Sequence, residues 1–272
     1  MRDLTLTNLD YLTARLHGRR SRMAEASRLD TLCRLRTVPD LLRQIAPDSK
    51  PQSVADFQRR LAEALTREVA EFLPLLDKPG ARLVAWMLLR LQLKVPAAPV
   101  SWAAFAASLP AGPLRKSVQE ARGHPARPFF MEAALDHAYY RELLLRMEAL
   151  REEERMVVEP LVRFEAASFQ HQLLARGQLN YGLTPDNLAQ FELGGVSHAN
   201  ELPATAVTRD RLYRLANRAM RCSPSGLGTV VGYVALRRVE LANLTTLSEG
   251  LRLGLSGESI RARMTPRSVT HV

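Results

Sequence analysis

Apolar side chains recur along this chain at helical spacing. Between residues 53 and 73 they fall at every third or fourth position, while arginine and glutamate side chains occupy the other face. Ser53 and Asp56 supply the side-chain oxygen and the acidic third position that stabilise the beginning of a helix. The pattern therefore predicts an amphipathic helix that begins at Ser53.

Similar apolar stripes predict three more helices. One passes through Leu12 and Leu16, a buried one covers residues 81–93, and a long one covers residues 131–156. No long run alternates apolar and polar residues, and β-branched residues cluster only briefly. We therefore expect an all-α protein.

Two segments of the chain resemble each other. In one, a helical pattern containing Glu165 leads to Gly182-Leu183; in the other, a pattern containing Glu240 leads to Gly254-Leu255. Aligning Glu165 with Glu240 leaves three extra residues in the first copy. Glycine at these positions suits the left-handed end of a helix. With residues 81–93 as a weaker third copy, the repeat predicts related helical units rather than one compact bundle.

Length and composition narrow the class of protein. With 272 residues, 46% of them hydrophobic, the chain can bury its own core. Cys33 and Cys222 are far apart and outside any Cys-x-x-Cys pair, so we expect free thiols rather than a zinc or redox site. The apolar segment at residues 83–89 is too short to span a membrane, and the chain starts without an apolar signal segment, so we expect no export.

Positive charge is concentrated near the start of the chain. Residues 11–36 contain seven arginines and two acidic residues, which gives half of the formal net charge of +10. Arg15, Arg19, Arg20 and Arg22 belong to this patch. It is either a solvated helix face or a contact for an acidic protein surface or lipid headgroups. Binding to nucleic acid is a third interpretation, although aromatic residues are sparse around the patch.

The sequence contains no recognisable catalytic motif. The six histidines include no pair at the helical spacing of metal ligands, residues 226–232 lack the dinucleotide-binding spacing, and no phosphate-binding Gly-x-x-x-x-Gly-Lys motif occurs. We therefore expect no catalytic residue, cofactor site or metal site.

Three segments carry a resemblance to a known family. They are residues 11–22, with Tyr11 and the arginines named above; residues 134–144, with Asp136, Tyr139 and Tyr140; and residues 233–244, with Glu240 and Asn243. Together they resemble the central-stalk connector of rotary ATPases, a family that comprises the C-type connector of archaeal and bacterial A/V-type enzymes and the d-type connector of eukaryotic V-ATPases.

The resemblance implies a fold, a function and partners. The fold would be a funnel of three similar helical units with pseudo-threefold symmetry, here about residues 1–100, 101–195 and 196–272. The protein would be a non-catalytic rotor component, peripheral on the cytoplasmic face of the membrane. It would couple central-stalk subunits of the D/F type to the proteolipid c/K ring and transmit torque. No cofactor, no nucleic acid and no homo-oligomer would be expected.

The resemblance also draws attention to Arg237, Glu240 and Asn243. Arg237 and Glu240 stand three residues apart, which suits an exposed helical ion pair. The alternative, implied by the family, is that the three side chains share a helix face that lines a polar socket or ties one unit to its neighbour. Like the four arginines of the patch, these residues are candidate partner contacts.

Overall fold

All regular secondary structure is helical in the residues that the computed structural model describes, which are 6–47, 51, 53–93, 100–194, 205–223 and 226–266. The all-α prediction is confirmed for these residues. The helices are α1 (Leu6–Arg20), α2 (Ala26–Cys33), α3 (Val38–Ile45), α4 (Val54–Ala70), α5 (Lys78–Leu89), α6 (Trp102–Ser108), α7 (Pro113–Glu120), α8 (Pro128–Glu148), α9 (Glu152–Tyr181), α10 (Pro185–Leu188), α11 (Thr205–Arg221), α12 (Leu227–Arg252) and α13 (Gly257–Arg261).

The predicted beginning of α4 is confirmed. Ser53 has an extended backbone, and its hydroxyl accepts a hydrogen bond of 3.1 Å from the backbone N–H of Asp56. This contact satisfies one of the amides that a helix leaves without a partner at its first turn. Phe57, Leu65 and Val69 form the buried face of the helix, as the spacing predicts.

The chain forms two compact units. The terminal unit combines Met1–Val84 with Pro203–Val272, and the central unit is Ala85–Leu202. The three units that the resemblance implies, about residues 1–100, 101–195 and 196–272, and their arrangement in a funnel stay a prediction. Two stretches in which the sequence predicts a break between helices, the proline-rich residues 96–99 and residues 194–203, lie wholly or mostly outside the described residues.

In the terminal unit, α12 is the central helix and packs on α1, α3, α4, α11 and α13. Its contact with α11 is unusually close at Gly232. A Cβ atom at this position would lie 2.5 Å from the carbonyl oxygen of Ala216 and 2.6 Å from the amide nitrogen of Met220. Only glycine allows the two backbones to approach in this way, so α11 is held firmly against α12.

In the central unit, α8 and α9 pack on each other. The single helix predicted over residues 131–156 is wrong, because the chain turns between them. Leu150 is buried at the turn and Arg151 has an extended backbone. Glu152, Glu153 and Glu154 then form the first turn of α9, where negative charge favours the beginning of a helix.

The ends of α9 and α12 are two copies of one structural module, each in its own unit. Both end at a left-handed glycine, Gly182 with φ of 62° and Gly254 with φ of 69°. The amide of Leu183 donates to the carbonyl of Gly177 at 3.0 Å, and the amide of Leu255 donates to that of Gly250 at 2.9 Å. In each copy a polar residue then begins a short helix, α10 or α13.

The hydrogen bonds correct the alignment of the two copies. Gln170 accepts a 2.9 Å bond from the amide of Leu193, and Asn243 accepts a 3.0 Å bond from the amide of Thr265. Both acceptors stand seven residues before the helix glycine, Gly177 or Gly250, so only one extra residue separates the copies.

The pairing of Glu165 with Glu240 is therefore wrong, because the two acidic residues are not structurally equivalent. The segment at residues 81–93 contains no glycine, and α5 ends without a left-handed residue among those described, so it does not share the module.

Candidate functional site

The arginines of α1 contact the end of α4. Nη2 of Arg15 and Nη2 of Arg19 donate to the same oxygen of Glu71, at 2.9 and 2.7 Å. Arg19 also donates to the backbone carbonyl of Glu68 at 3.1 Å. Both guanidinium groups lie over the ring of Phe72, with centroid distances of 5.6 and 4.8 Å. The hydrogen bond from Arg19 lowers the pKa of Glu71, so its carboxylate stays charged.

Glu68 is the junction between three helices. Its carboxylate accepts a hydrogen bond from the hydroxyl of Tyr233 and a 3.1 Å bond from Nη2 of Arg237, both on α12. Nη1 of Arg19 on α1 lies 3.7 Å from the same carboxylate. Burial, followed by the bond to Glu68, raises the pKa of Tyr233, which keeps the hydroxyl protonated as a donor.

Glu240 continues this network into the core. The residue is 6% exposed, and its carboxylate accepts a hydrogen bond from Arg237 and a 2.6 Å bond from the backbone amide of Ala24. Although burial opposes it, the carboxylates of Glu240 and Glu68 raise the pKa of Arg237. The exposed ion pair suggested by the helical spacing is therefore wrong. A buried pair differs in energy, because the loss of one partner leaves the other charge uncompensated.

We call this set of side chains the Glu68 cluster; its members are Arg15, Arg19, Glu68, Glu71, Tyr233, Arg237 and Glu240. It joins α1, α4 and α12 by charged hydrogen bonds. The distances in sequence between partners show how little of it is local. Arg15 and Glu71 are 56 residues apart, and Arg237 and Glu68 are 169 residues apart.

Asn243 lies outside the cluster but on the same helix. Its side chain is buried and forms two hydrogen bonds with the backbone of Thr265: Nδ2 donates to the carbonyl at 2.6 Å, and Oδ1 accepts from the amide at 3.0 Å. These bonds hold the segment after α13 against α12.

The remaining two arginines of the predicted patch differ in their surroundings. Arg20 donates to the side-chain oxygen of Asn217 and lies 3.7 Å from the carboxylate of Glu25. Arg22 is exposed, and its side chain forms no ion pair with the described residues. Of the seven predicted contact residues, Arg22 is therefore the one that is both exposed and not engaged in this way.

The middle segment of the resemblance lies in the central unit. Oδ1 of Asp136 is 2.9 Å from Nε of Arg90, and burial raises the pKa of Asp136 although Arg90 opposes the shift. Tyr139 is fully buried, its ring stacks on that of Trp86, and its carbonyl accepts a 3.0 Å bond from the indole. Tyr140 stacks on Phe169 at 5.0 Å. Both tyrosines therefore pack between helices.

Comparison with known families and curated proteins finds no match for this chain.

The described residues contain no helix that is long and apolar enough to cross a bilayer. Among the same residues, no three histidine, cysteine or acidic side chains are grouped closely enough to hold a metal ion.

Sequence reasoning missed Glu68, Glu71 and Tyr233. The signal available was modest: Glu68 and Glu71 stand three residues apart at the end of an amphipathic helix, and Tyr233 stands four residues before Arg237. Chemically, the cluster pairs charges and protonated donors with one another. Its role in the structure is to fix helices, because each carboxylate is occupied by donors from other parts of the fold.

Proposed function

We propose that this protein is a non-catalytic connector of a V/A-type rotary ATPase. It would join central-stalk subunits to the proteolipid ring on the cytoplasmic face of the membrane. There it would transmit torque between ATP turnover and the movement of protons or sodium ions. The observation that carries the proposal is the Glu68 cluster, in which residues from the first and the last segment of the family resemblance meet around one carboxylate.

The duty of a connector is mechanical, and the cluster suits that duty. Close-packed interiors transmit strain because they have little empty space to yield. Charged hydrogen bonds between α1, α4 and α12 resist relative sliding of these helices, since any shift separates buried or half-buried charges from their partners. The family's funnel of three units belongs to the same proposal, and the two copies of the helix-ending module support an origin from repeated units.

The test is to purify the tagged full-length chain from the organism that encodes it, after mild detergent treatment, and to identify the proteins that accompany it. We expect proteolipid and central-stalk subunits. Recovery of folded protein with neither kind of subunit would contradict the proposal.

A pair of variants makes this test specific for the predicted contact residues. Arg22→Glu reverses an exposed charge within the resemblance, and Arg67→Glu reverses an exposed charge on α4, outside it. Neither arginine forms an ion pair with the described residues, so both variants should fold normally. We expect Arg22→Glu to reduce the recovered partner subunits at least tenfold, by placing like charge at the contact, and Arg67→Glu to leave recovery unchanged. If both variants recovered equal amounts of the partner subunits, the prediction that Arg22 contacts a partner would be wrong.

A further inference from the structure

Four arginines are among the described residues that line a groove between α1 and α11. Its volume is about 480 Å³, and its lining consists of Arg20, Tyr213, Arg214, Asn217, Arg218, Arg221 and Cys222. This volume falls within the range of pockets that hold small organic ligands. The groove belongs to the terminal unit and shares no side chain with the Glu68 cluster.

Three arginines of the groove lack a partner within the part of the chain that the structure describes. The side chains of Arg214, Arg218 and Arg221 are exposed and form no ion pair or hydrogen bond with any of its residues. They stand four and three residues apart on one helix, so they share a face and extend for about 10 Å along the axis. Like charges at this spacing repel one another, which is a cost that an anion in the groove would relieve.

The groove is also held in shape. Arg20 enters it from α1 and donates to the side-chain oxygen of Asn217, whose Nδ2 in turn donates to the carbonyl of Tyr213 at 2.8 Å. The opposite face of α11 is fixed by the close backbone contact at Gly232. A ligand therefore meets arginines on a helix that cannot easily move away.

The chemistry of the lining selects phosphate. A guanidinium group donates two parallel hydrogen bonds that match phosphate or carboxylate oxygens. Tyr213 is the one aromatic residue among the described residues of the lining, which therefore offer no succession of stacking surfaces of the kind with which proteins hold single-stranded nucleic acid. Its volume suits one or two compact phosphate-bearing groups better than an extended polymer.

We propose that this groove binds the phosphate of anionic phospholipid headgroups. The choice of a lipid as the source of the phosphate rests on the proposed function, which places the protein at a membrane surface. The charge complementarity of the groove does not depend on that function.

The test uses purified full-length protein and vesicles of phosphatidylcholine with or without phosphatidylglycerol. We expect sedimentation with the anionic vesicles only. The triple variant Arg214→Gln, Arg218→Gln and Arg221→Gln should lose roughly 100-fold in affinity, since each basic residue near an anionic surface contributes about fivefold.

A matched control separates the groove from net charge. The triple variant Arg67→Gln, Arg127→Gln and Arg263→Gln loses the same charge from exposed arginines on other segments, none of which forms an ion pair among the described residues. It should keep most of the vesicle binding. Circular dichroism of both triples should match the original protein, because the altered side chains are exposed.

Four outcomes overturn the proposal: no binding to anionic vesicles, an equal loss in the two triples, full displacement by millimolar inorganic phosphate, or tighter binding to random DNA through the same three arginines. The third would indicate that the groove binds a soluble phosphate compound, and the fourth would favour nucleic-acid binding, which the net charge also allows. Because the protein is tested alone, failure here leaves the co-purification result untouched, and the reverse also holds.

Discussion

The ends of α9 and α12 share a backbone design but differ in how well their polar groups are satisfied. In α12, the side-chain amide of Asn243 both donates to and accepts from the backbone of Thr265. In α9, the side chain of Gln170 accepts one bond from the amide of Leu193, and its Nε2 is buried without a partner among the described residues. The longer glutamine side chain reaches the equivalent backbone amide, that of Leu193, but its own N–H donor is left without a partner.

The two copies therefore share a side-chain oxygen that accepts from the backbone amide after the short helix, but only the copy in α12 also has a side-chain donor bonded to the backbone. The amide after each short helix is buried and needs an acceptor, whereas the second bond is present only where α12 is tied to the segment that follows α13. We therefore expect the copy in the terminal unit to be the more sensitive to substitution.

The largest effect should come from replacing the side-chain amides of Asn243 and Gln170 by apolar side chains of similar length. Asn243→Leu leaves the buried amide and carbonyl of Thr265 without partners and should cost about 2–4 kcal/mol of unfolding free energy. Gln170→Met leaves one amide without a partner and removes the unused donor, so we expect about 1–2 kcal/mol.

Urea unfolding measures both losses. Trp86 and Trp102 lie in the central unit, so their fluorescence follows the glutamine variant there, while circular dichroism follows the helices of both units. A larger loss for Gln170→Met than for Asn243→Leu would break the comparison.

Substitution of the glycine inside each helix, Gly177 in α9 or Gly250 in α12, should give the next largest loss of stability. A Cβ at Gly250 would lie 2.6 Å from Cγ1 of Ile260, close to the stiff branch of that side chain, so Gly250→Ala should cost about 1–3 kcal/mol. A Cβ at Gly177 would meet the far end of Leu188, which can turn aside. The better helix propensity of alanine should then leave Gly177→Ala within about 1 kcal/mol of the original protein.

Thermal unfolding of these two variants shows which one loses more stability. In the double variant Gly250→Ala with Ile260→Ala, the shorter side chain at position 260 should remove the clash and recover part of the loss. If the double variant fails to recover part of the loss relative to Ile260→Ala alone, the contact is not the cause.

Substitution of the two left-handed glycines, Gly182 and Gly254, should lower the stability by similar amounts. A Cβ at Gly182 or Gly254 would meet no atom within 4 Å, so substitution tests the backbone alone. Each change to alanine should cost about 1 kcal/mol, because φ is positive at both positions. Losses that differ by more than about 1 kcal/mol would show that the two ends are not equivalent.

The smallest effect should be a pH dependence in the central unit. Burial raises the pKa of Asp136, so the folded state holds its proton more tightly than the unfolded state does. The resulting stabilisation is full below the unfolded aspartate pKa of about 3.9 and is lost as the pH rises through the folded value. Asp136→Asn should therefore gain stability relative to the original protein as the pH rises from about 4 to 7.

Asp10→Asn, which changes an exposed carboxylate on α1, provides the control. A pH-independent difference between Asp136→Asn and the original protein would contradict the assignment.

The parts of the fold that depend on neighbouring residues could be predicted from the sequence. The cap at Ser53 and the helix-ending glycines follow from local chemistry, and the structure contains them. The break before α9 is hidden in the sequence because Leu150 keeps the apolar stripe continuous across it, and only the three following glutamates mark a new helix.

The candidate site was harder to predict because its partners are distant in sequence. Arginines on α1 could equally face solvent or an acidic partner until the position of α4 is known. Glu68 gains its role from helices that packing brings to it, and spacing along the chain holds no information on that choice. The same holds for Glu240, whose buried carboxylate accepts a hydrogen bond from the backbone amide of Ala24, 216 residues earlier in the chain.

The terminal unit takes its core from both ends of the chain, and this sets an order of events during synthesis. Leu29, Leu41 and Phe57 pack in the same apolar cluster as Leu247, Ile260 and Met264. During translation, the helices formed by the first 84 residues expose that apolar surface while Ala85–Leu202 is synthesised and can fold, because their packing partners in α12 and α13 do not yet exist. Chaperones that protect nascent chains should therefore engage the first helices for most of translation.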